Sequence, residues 1–381
     1  VLRQGKQEAA LLIALADLSG TWALEAVTRS LTAFADAALQ AAVSHLLRDL
    51  HARGKLTLPD PERPQEGSGY IVLGMGKYGA AELNYSSDID LIVYFDPDRA
   101  KAADPDETST LFVRMTRRLV QIMQERTGDG YVFRTDLRLR PDPGATAVAL
   151  SVPAALHYYE ALGQNWERAA LIKARPVAGD PEAGAALLAD IAPFIWRRSF
   201  DYATIADVHS IKRQIHAVKG HGRIAVAGHN IKLGRGGIRE VEFFVQTQQL
   251  IAGGRNPELR GIQTLPMLRS LVAAGWIDRD TRDELDAAYR FLRFVEHRLQ
   301  MIADEQTHTL PKSDEGLATV ARLCGHGSVE EFATELRGHL ERVQSHYAEL
   351  FEDAPSLSGG LGSLVFTGDE DDPETLETLH G

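Results

Sequence analysis

Two aspartates one residue apart, Asp88 and Asp90, open the apolar run Ile89, Leu91, Ile92 and Val93, and a loop carrying Gly74, Gly76 and Gly79 lies a dozen residues upstream of the first. Side chains alternate faces along a strand, so Asp88 and Asp90 share one face while Ile89 and Leu91 take the other. The two carboxylates then occupy one small volume. At ~4 Å and an effective dielectric of ~20, like unit charges repel by about 4 kcal/mol, so the pair needs a cation or a shared proton. Oxygen ligands of this kind suit Mg²⁺ or Mn²⁺.

A third carboxylate comes with residues 131–141, where the same alternation predicts a strand with Asp136, Arg138 and Arg140 in front and Leu137 and Leu139 behind. Aspartates that hold a divalent metal, beside arginines that neutralise an attacked phosphate, are the common equipment of phosphoryl and nucleotidyl transfer.

Gly74, Gly76 and Gly79 also spell G-x-G-x-x-G after the apolar residues 70–73, and Asp96 follows about 20 residues on. That is the dinucleotide-binding fingerprint. Against it, residues 77–87 are short for a crossover helix, a Rossmann second strand has no need of carboxylates at its start, and the chain past Asp96 turns mostly helical. The loop does not match G-x-x-x-x-G-K-[ST], which excludes a Walker P-loop.

Composition narrows the field. The 381 residues carry a formal charge of −12, with 44% hydrophobic and 25% charged residues. This is an ordinary globular balance, and the acidity argues against a general nucleic-acid binder. Cys324 is the only cysteine, so no intrachain disulfide forms and a reducing cytoplasm fits. No apolar run approaches the ~20 residues of a membrane span, and residues 9–16 lack the marks of a signal peptide. The chain begins with Val1, which reads as an excised piece of something longer.

Along the chain, residues 4–53 read as alanine-rich helices broken near Ser19 and Gly20, and Pro/Gly-rich residues 58–69 as a linker. Helical periodicity predicts 111–126, then 202–219, 238–252, 265–274, 279–303 and 329–351. From residue 356 the chain is Gly/Ser-rich and then acidic. Lys173 and Arg175 fall on one face of an expected strand, shortly after Arg168, as a basic set for phosphate oxygens. Lys232 and Arg235, with Gly234, Gly236 and Gly237, open the helix expected at 238, where free N–H groups suit a phosphate. Glu240 and Glu242 are explained by the helix dipole alone. His209, His216, His221 and His229 lack metal-ligand spacing, and Glu296 with His297 reads as a packed or solvated pair.

Several long runs carry a resemblance: residues 74–91, residues 136–141, Gly163 to Ala170 continuing through Lys173, Ala174, Arg175 and Pro176 to Gly179, and residues 231–243. Residues 295–301 and 306–311 agree. Together they resemble the bifunctional glutamine synthetase adenylyltransferase/adenylyl-removing enzymes, and the runs at 163–179 and 231–243 are similar to the amino-terminal, deadenylylating half. The resemblance implies an α+β chain: a polymerase-β-like nucleotidyltransferase domain with a mixed sheet at 70–180, preceded by a helical segment at 1–57 and a linker at 58–69. A helical domain at 181–355 and an acidic tail at 356–381 follow. It implies that Asp88, Asp90 and Asp136 bind Mg²⁺ (or Mn²⁺) and are catalytic, and that Gly76, Lys77, Ser87, Arg138, Arg140, Arg168, Lys173, Arg175, Lys232 and Arg235 contact phosphate or nucleotide. The implied reaction is phosphorolytic removal of AMP from adenylylated glutamine synthetase, with inorganic phosphate as acceptor and ADP as product. A PII-type signalling protein would be a regulator, and an adenylyltransferase half would follow in the full-length chain. Three other readings stay open: ATP-dependent adenylylation on the same fold, a nicotinamide-dependent oxidoreductase, and a PII-binding module without catalysis.

Overall fold

A computed structural model describes residues 1–197 and 224–352; the helix expected at 202–219, His209, His216, His221 and the tail from residue 356 lie outside the described residues. The chain opens with α1 (Leu2–Leu18) and α2 (Leu24–Ala52). In α2, Val27, Leu31, Ala35, Leu39, Val43 and Leu46 recur at three- and four-residue spacing and are all buried. A two-residue ladder joins β1 (Leu56–Thr57) to β4 (Lys101–Ala102).

The main sheet is built on β2 (Tyr70–Met75) and β3 (Ile89–Phe95), which pair antiparallel with Tyr70 opposite Phe95 and Met75 opposite Asp90. On its outer side β2 pairs antiparallel with β7 (Arg175–Gly179), while β3 pairs in parallel with β5 (Thr135–Asp136) and β6 (Leu150–Ser151). The sheet is therefore mixed, as expected. Between β2 and β3 stands only α3 (Gly76–Gly79), a single turn. An antiparallel pair joined by one helical turn cannot be the parallel βαβ unit of a dinucleotide-binding fold, so the oxidoreductase reading falls here.

Both faces of the sheet are covered, which is why its central strands read as nearly continuous apolar runs. Tyr70, Val72, Leu91 and Val93 belong to one core with α2 and with α4 (Thr108–Gln124). Ile71, Leu73, Ile92 and Tyr94 belong to another with α5 (Val152–Ala161) and α7 (Pro181–Ile195); α6 (Asn165–Leu171) adds Leu171. Asp180 caps α7 by accepting from the Glu182 and Ala183 N–H groups, with Pro181 in the first turn. Leu187, Ile191 and Ile195 then carry this core past residue 181. Alternation along β3 sets Asp90 on the face of Ile92 and Tyr94, at the point where that face leaves the core.

The second half is helical: α8 (Ile238–Ala252), α9 (Thr264–Ala273), α10 (Arg279–Ala303), α11 (Asp314–Leu323) and α12 (Val329–Glu352). They enclose a separate core with Val241, Leu268, Leu292, Val295, Phe332 and Leu340. A second stripe of α10, with Tyr289, Arg293 and Gln300, and Asp304 just past its end, grips the segment between α3 and Asp88. Arg293 donates to the Glu82 carbonyl at 2.7 Å and to Asn84 Oδ1 at 2.6 Å, and the Tyr289 hydroxyl to Glu82 Oε2 at 3.2 Å. Gln300 Oε1 accepts from the Ser86 N–H at 3.0 Å, and the Asp304 carbonyl from the Ser86 hydroxyl at 2.9 Å. No described helix is long and apolar enough to cross a membrane.

Candidate active site

The site begins with strand register. Asp90 and Asp136 are Cα partners in the parallel β3–β5 pair, and Asp88 lies two residues before Asp90, so three carboxylates stand at one edge of the sheet. Burial first, then the charges of Asp136 and Asp88 against the pull of Lys232, push the Asp90 carboxyl up to about 7. The outer two have guanidinium partners. Arg134 Nε donates to Asp88 Oδ1 at 2.6 Å and is braced by the Tyr131 hydroxyl and the Ser86 carbonyl, both at 2.9 Å. Arg138 binds Asp136 through its backbone N–H at 2.8 Å and its Nε at 2.9 Å, and holds that carboxyl below its ordinary range. Gly76 is required where it stands: its φ is +54°, and a Cβ there would lie 2.7 Å from Asp90 Oδ2.

In front of this edge lies a cavity of about 550 Å³, lined by all three aspartates and also by Lys173, Lys232, Arg239 and Glu242. That volume is ordinary for a small-molecule site. Trp166, Phe243, Gln246 and Gln306 complete much of the wall. At the back, Lys77 is clamped by both oxygens of Glu296, at 2.9 and 3.0 Å, and Glu296 also meets Arg293 Nε at 3.1 Å and His308 Nδ1 at 2.9 Å. Burial lowers the Lys77 ammonium to about 7 against the attraction of Glu296. Although burial opposes ionisation, Lys77, His308 and Arg293 hold Glu296 well below the carboxylate range.

The donor chemistry of the acidic edge fits a hard divalent cation: three carboxylates on one wall, with a mutual repulsion that a cation would relieve. As they stand, Arg134 and Arg138 engage two of them, and among the described residues no three His, Cys, Asp or Glu side chains are gathered as a metal-binding group.

Of the residues singled out in the sequence, Gly76, Lys77, Ser87, Asp88, Asp90, Asp136, Arg138, Lys173 and Lys232 all line the cavity. Four do not. The strand expected through 131–141 ends at Asp136, the chain turns, and Arg140 is spent on the carbonyls of Leu137 at 2.9 Å and Pro143 at 2.7 Å. Arg168 is 1% exposed and holds the end of α7, donating to the carbonyls of Phe194 at 3.1 Å and Ile195 at 3.3 Å. Arg175 begins β7, whereas Lys173 precedes the strand, so the two do not share a face; Arg175 makes a two-pronged bond to Asp36 of α2 at 2.9 and 3.0 Å. Arg235 is exposed and outside the cavity lining. Glu296 and His297 are packed but separate: Glu296 serves Lys77, and His297 meets Asp17 of α1 at 3.0 Å.

Sequence reasoning passed over Arg239, Phe243 and Gln246 and assigned Glu242 to the helix dipole. All four line the cavity from α8, at spacings of three, one and three. That i, i+3, i+4, i+7 stripe was the available signal.

Residues 1–190 match the family model for glutamate-ammonia ligase adenylyltransferase, and residues 209–351 match that for GlnD PII-uridylyltransferase. The chain is 64% identical over 380 residues to a protein of Mesorhizobium japonicum, covering 100% of this chain and 38% of that one. It is 62% identical over 378 residues to a protein of Brucella melitensis and 58% identical over 378 to one of Rhizobium meliloti, covering 99% of this chain and 38% of the relative in both cases. Each of the three is described as a bifunctional glutamine synthetase adenylyltransferase/adenylyl-removing enzyme. The chain thus spans less than two fifths of the length of these relatives.

Proposed function

The chain belongs to the family of bifunctional glutamine synthetase adenylyltransferases/adenylyl-removing enzymes, and from that premise we propose that it carries the adenylyl-removing activity. An oxygen of inorganic phosphate attacks the phosphorus of adenylyl-tyrosine on glutamine synthetase, a P–O bond forms to give ADP, and the bond to the tyrosine oxygen breaks. With monohydrogen phosphate the charges balance, and the proton of the attacking phosphate ends on the phenol. A phenol of pKa ~10 is a tolerable leaving group.

The observation that carries this reading is the sharing of one cavity by the Asp88, Asp90 and Asp136 edge and the cations Lys173, Lys232 and Arg239. The acidic edge would hold Mg²⁺ through these three side chains. A bound divalent ion supplies charge neutralisation at the phosphorus and at the attacking and leaving oxygens. The cations of the same cavity draw in a second anion, the acceptor phosphate, and hold it beside the adenylyl group. Arg138 stands at the junction and neutralises charge on the transferring group. Trp166 and Phe243 offer apolar surface on which a purine can lie. A PII-type protein is the expected regulator, and the adenylyltransferase half is expected elsewhere in the longer relatives.

The test incubates the chain with glutamine synthetase labelled on its AMP, with Mg²⁺. Label should leave as ADP, and only when phosphate is added. Release as free AMP without phosphate would mean hydrolysis. ATP-driven labelling of unmodified glutamine synthetase would reverse the assignment and favour adenylyl transfer on the same fold.

A further inference from the structure

We infer that Glu242 is a specificity-determining residue that makes the acceptor subsite take inorganic phosphate and refuse sulfate. The inference rests on the phosphorolytic reading above and deepens it. A wall of Lys173, Lys232 and Arg239 attracts any small oxyanion without discrimination. Among these cations α8 sets a carboxylate, Glu242, 13% exposed, whose Oε1 lies 3.4 Å from the Lys173 ammonium. That oxygen is buried and takes no hydrogen bond among the described residues. Against its burial, Lys173, Lys77, Arg293 and Lys232 hold the Glu242 carboxyl at about 2. It is therefore ionised at working pH and can only accept.

An anion drawn into the cavity meets the exposed part of this carboxylate, whose Oε1 is paired with the Lys173 ammonium without a hydrogen bond. Monohydrogen phosphate brings one O–H and satisfies it with a short charge-assisted bond. Sulfate has the same size and shape but no proton at neutral pH, so it meets the carboxylate with repulsion alone. A site built to hydrogen-bond a substrate hydroxyl can reject an analogue lacking it by ~10⁴-fold or more. Partial solvent access at Glu242 lowers the expectation here to about 10²-fold. Gln306 presents an amide that suits the remaining oxygens of either anion, as does Gln246, one turn further along α8, whose Nε2 also donates to the Ala169 carbonyl at 3.0 Å.

The experiment measures the KM for phosphate in ADP release and the inhibition constant of sulfate, together with direct calorimetric binding of phosphate and of sulfate alone. The wild-type chain should prefer phosphate by about 10²-fold. Glu242→Gln should cut that preference at least ~10-fold, because an amide can donate to either anion, while Glu242→Asp should retain it. A wild-type chain that binds sulfate as well as phosphate, or a Gln variant with an unchanged ratio, overturns the inference. So does a Gln variant that changes only the KM for adenylylated glutamine synthetase, which would place Glu242 against the nucleoside. Should the Gln variant not fold, the wild-type and Asp isotherms decide. Label release that needs no phosphate at all is a different result, since it refutes the phosphorolytic reading itself.

Discussion

Asp90 concentrates the tension in this site. Its carboxyl sits near 7 because burial and two neighbouring aspartates oppose its charge. Between the unfolded carboxylate value of ~4 and 7, the folded chain holds a proton that the unfolded chain has released, so stability falls as pH rises through that window. Asp90→Asn removes the effect. In chelator-containing buffer the variant should equal the wild type in melting temperature at pH 4 and exceed it by a few degrees at pH 8. Mg²⁺ at pH 8 should raise the wild type and leave the variant unmoved, while turnover in the variant drops by at least ~10³-fold. Wild-type turnover in saturating Mg²⁺ would show that Asp90 is no ligand. Gly76→Ala tests the same atoms from the other side. The added Cβ meets Asp90 Oδ2 at 2.7 Å on a backbone with φ of +54°, so thermal unfolding should show a loss of about 1–2 kcal/mol, with activity lost alongside.

Helices α1, α2, α4, α8 to α10 and α12 and the strands β2 and β3 were legible in the sequence because their signals are local: α2 and α10 repeat at three and four residues, and both central strands are uninterrupted apolar runs, whereas α7 and α11 were not anticipated. The 131–141 strand failed because only Thr135 and Asp136 pair with β3; Arg138 then folds back onto the Asp136 carboxylate, and the far end of β3 pairs with β6 instead. Arg168 and Arg175 were misjudged for a related reason. Sequence gives a cation's position but not its direction, and their partners are Phe194, Ile195 and the distant Asp36. Glu242 was legible only as a polar stripe, which looks the same whether it faces water or a cavity. Arg175→Ala should therefore lower stability by about 1–3 kcal/mol in denaturant melts and leave the KM for phosphate alone. A phosphate KM raised tenfold would return Arg175 to the site. Packing of α1 on α10 gives a pH-dependent counterpart. Asp17 is 7% exposed; burial opposes its charge, but His297 and Arg298 prevail and hold its carboxyl below the ordinary value. A depressed carboxyl contributes stability above the unfolded pKa, and that contribution is lost as pH falls through the folded one. Asp17→Asn should cost about 3 kcal/mol at pH 7, and the deficit should shrink below pH ~4. A deficit that stays constant with pH would mean the amide loses packing instead of charge pairing.

The two halves of the chain are joined by buried polar contacts, and this makes them one folding unit. Lys77 and Glu296 face each other at 8% and 0% exposure, Arg293 is fully buried against Asn84, and Glu82 accepts from Thr264 and Tyr289 across the same boundary. Were the helical half to unfold alone, Lys77, Glu82 and Asn84 would lose these partners in a wall built to exclude water. Each such orphan costs about 1–3 kcal/mol, and more where it is charged. Partial unfolding is therefore disfavoured by several kcal/mol, and calorimetry should show a single transition. Glu296→Gln leaves Lys77 and Arg293 without their carboxylate, at a cost of about 3–5 kcal/mol. Because the damage lies between the halves, it should move the whole transition downward without splitting it, and turnover should fall with the loss of a fixed Lys77. Two resolved transitions in the wild type would show that the halves fold independently. A split appearing only in the variant would show that Glu296 alone couples them.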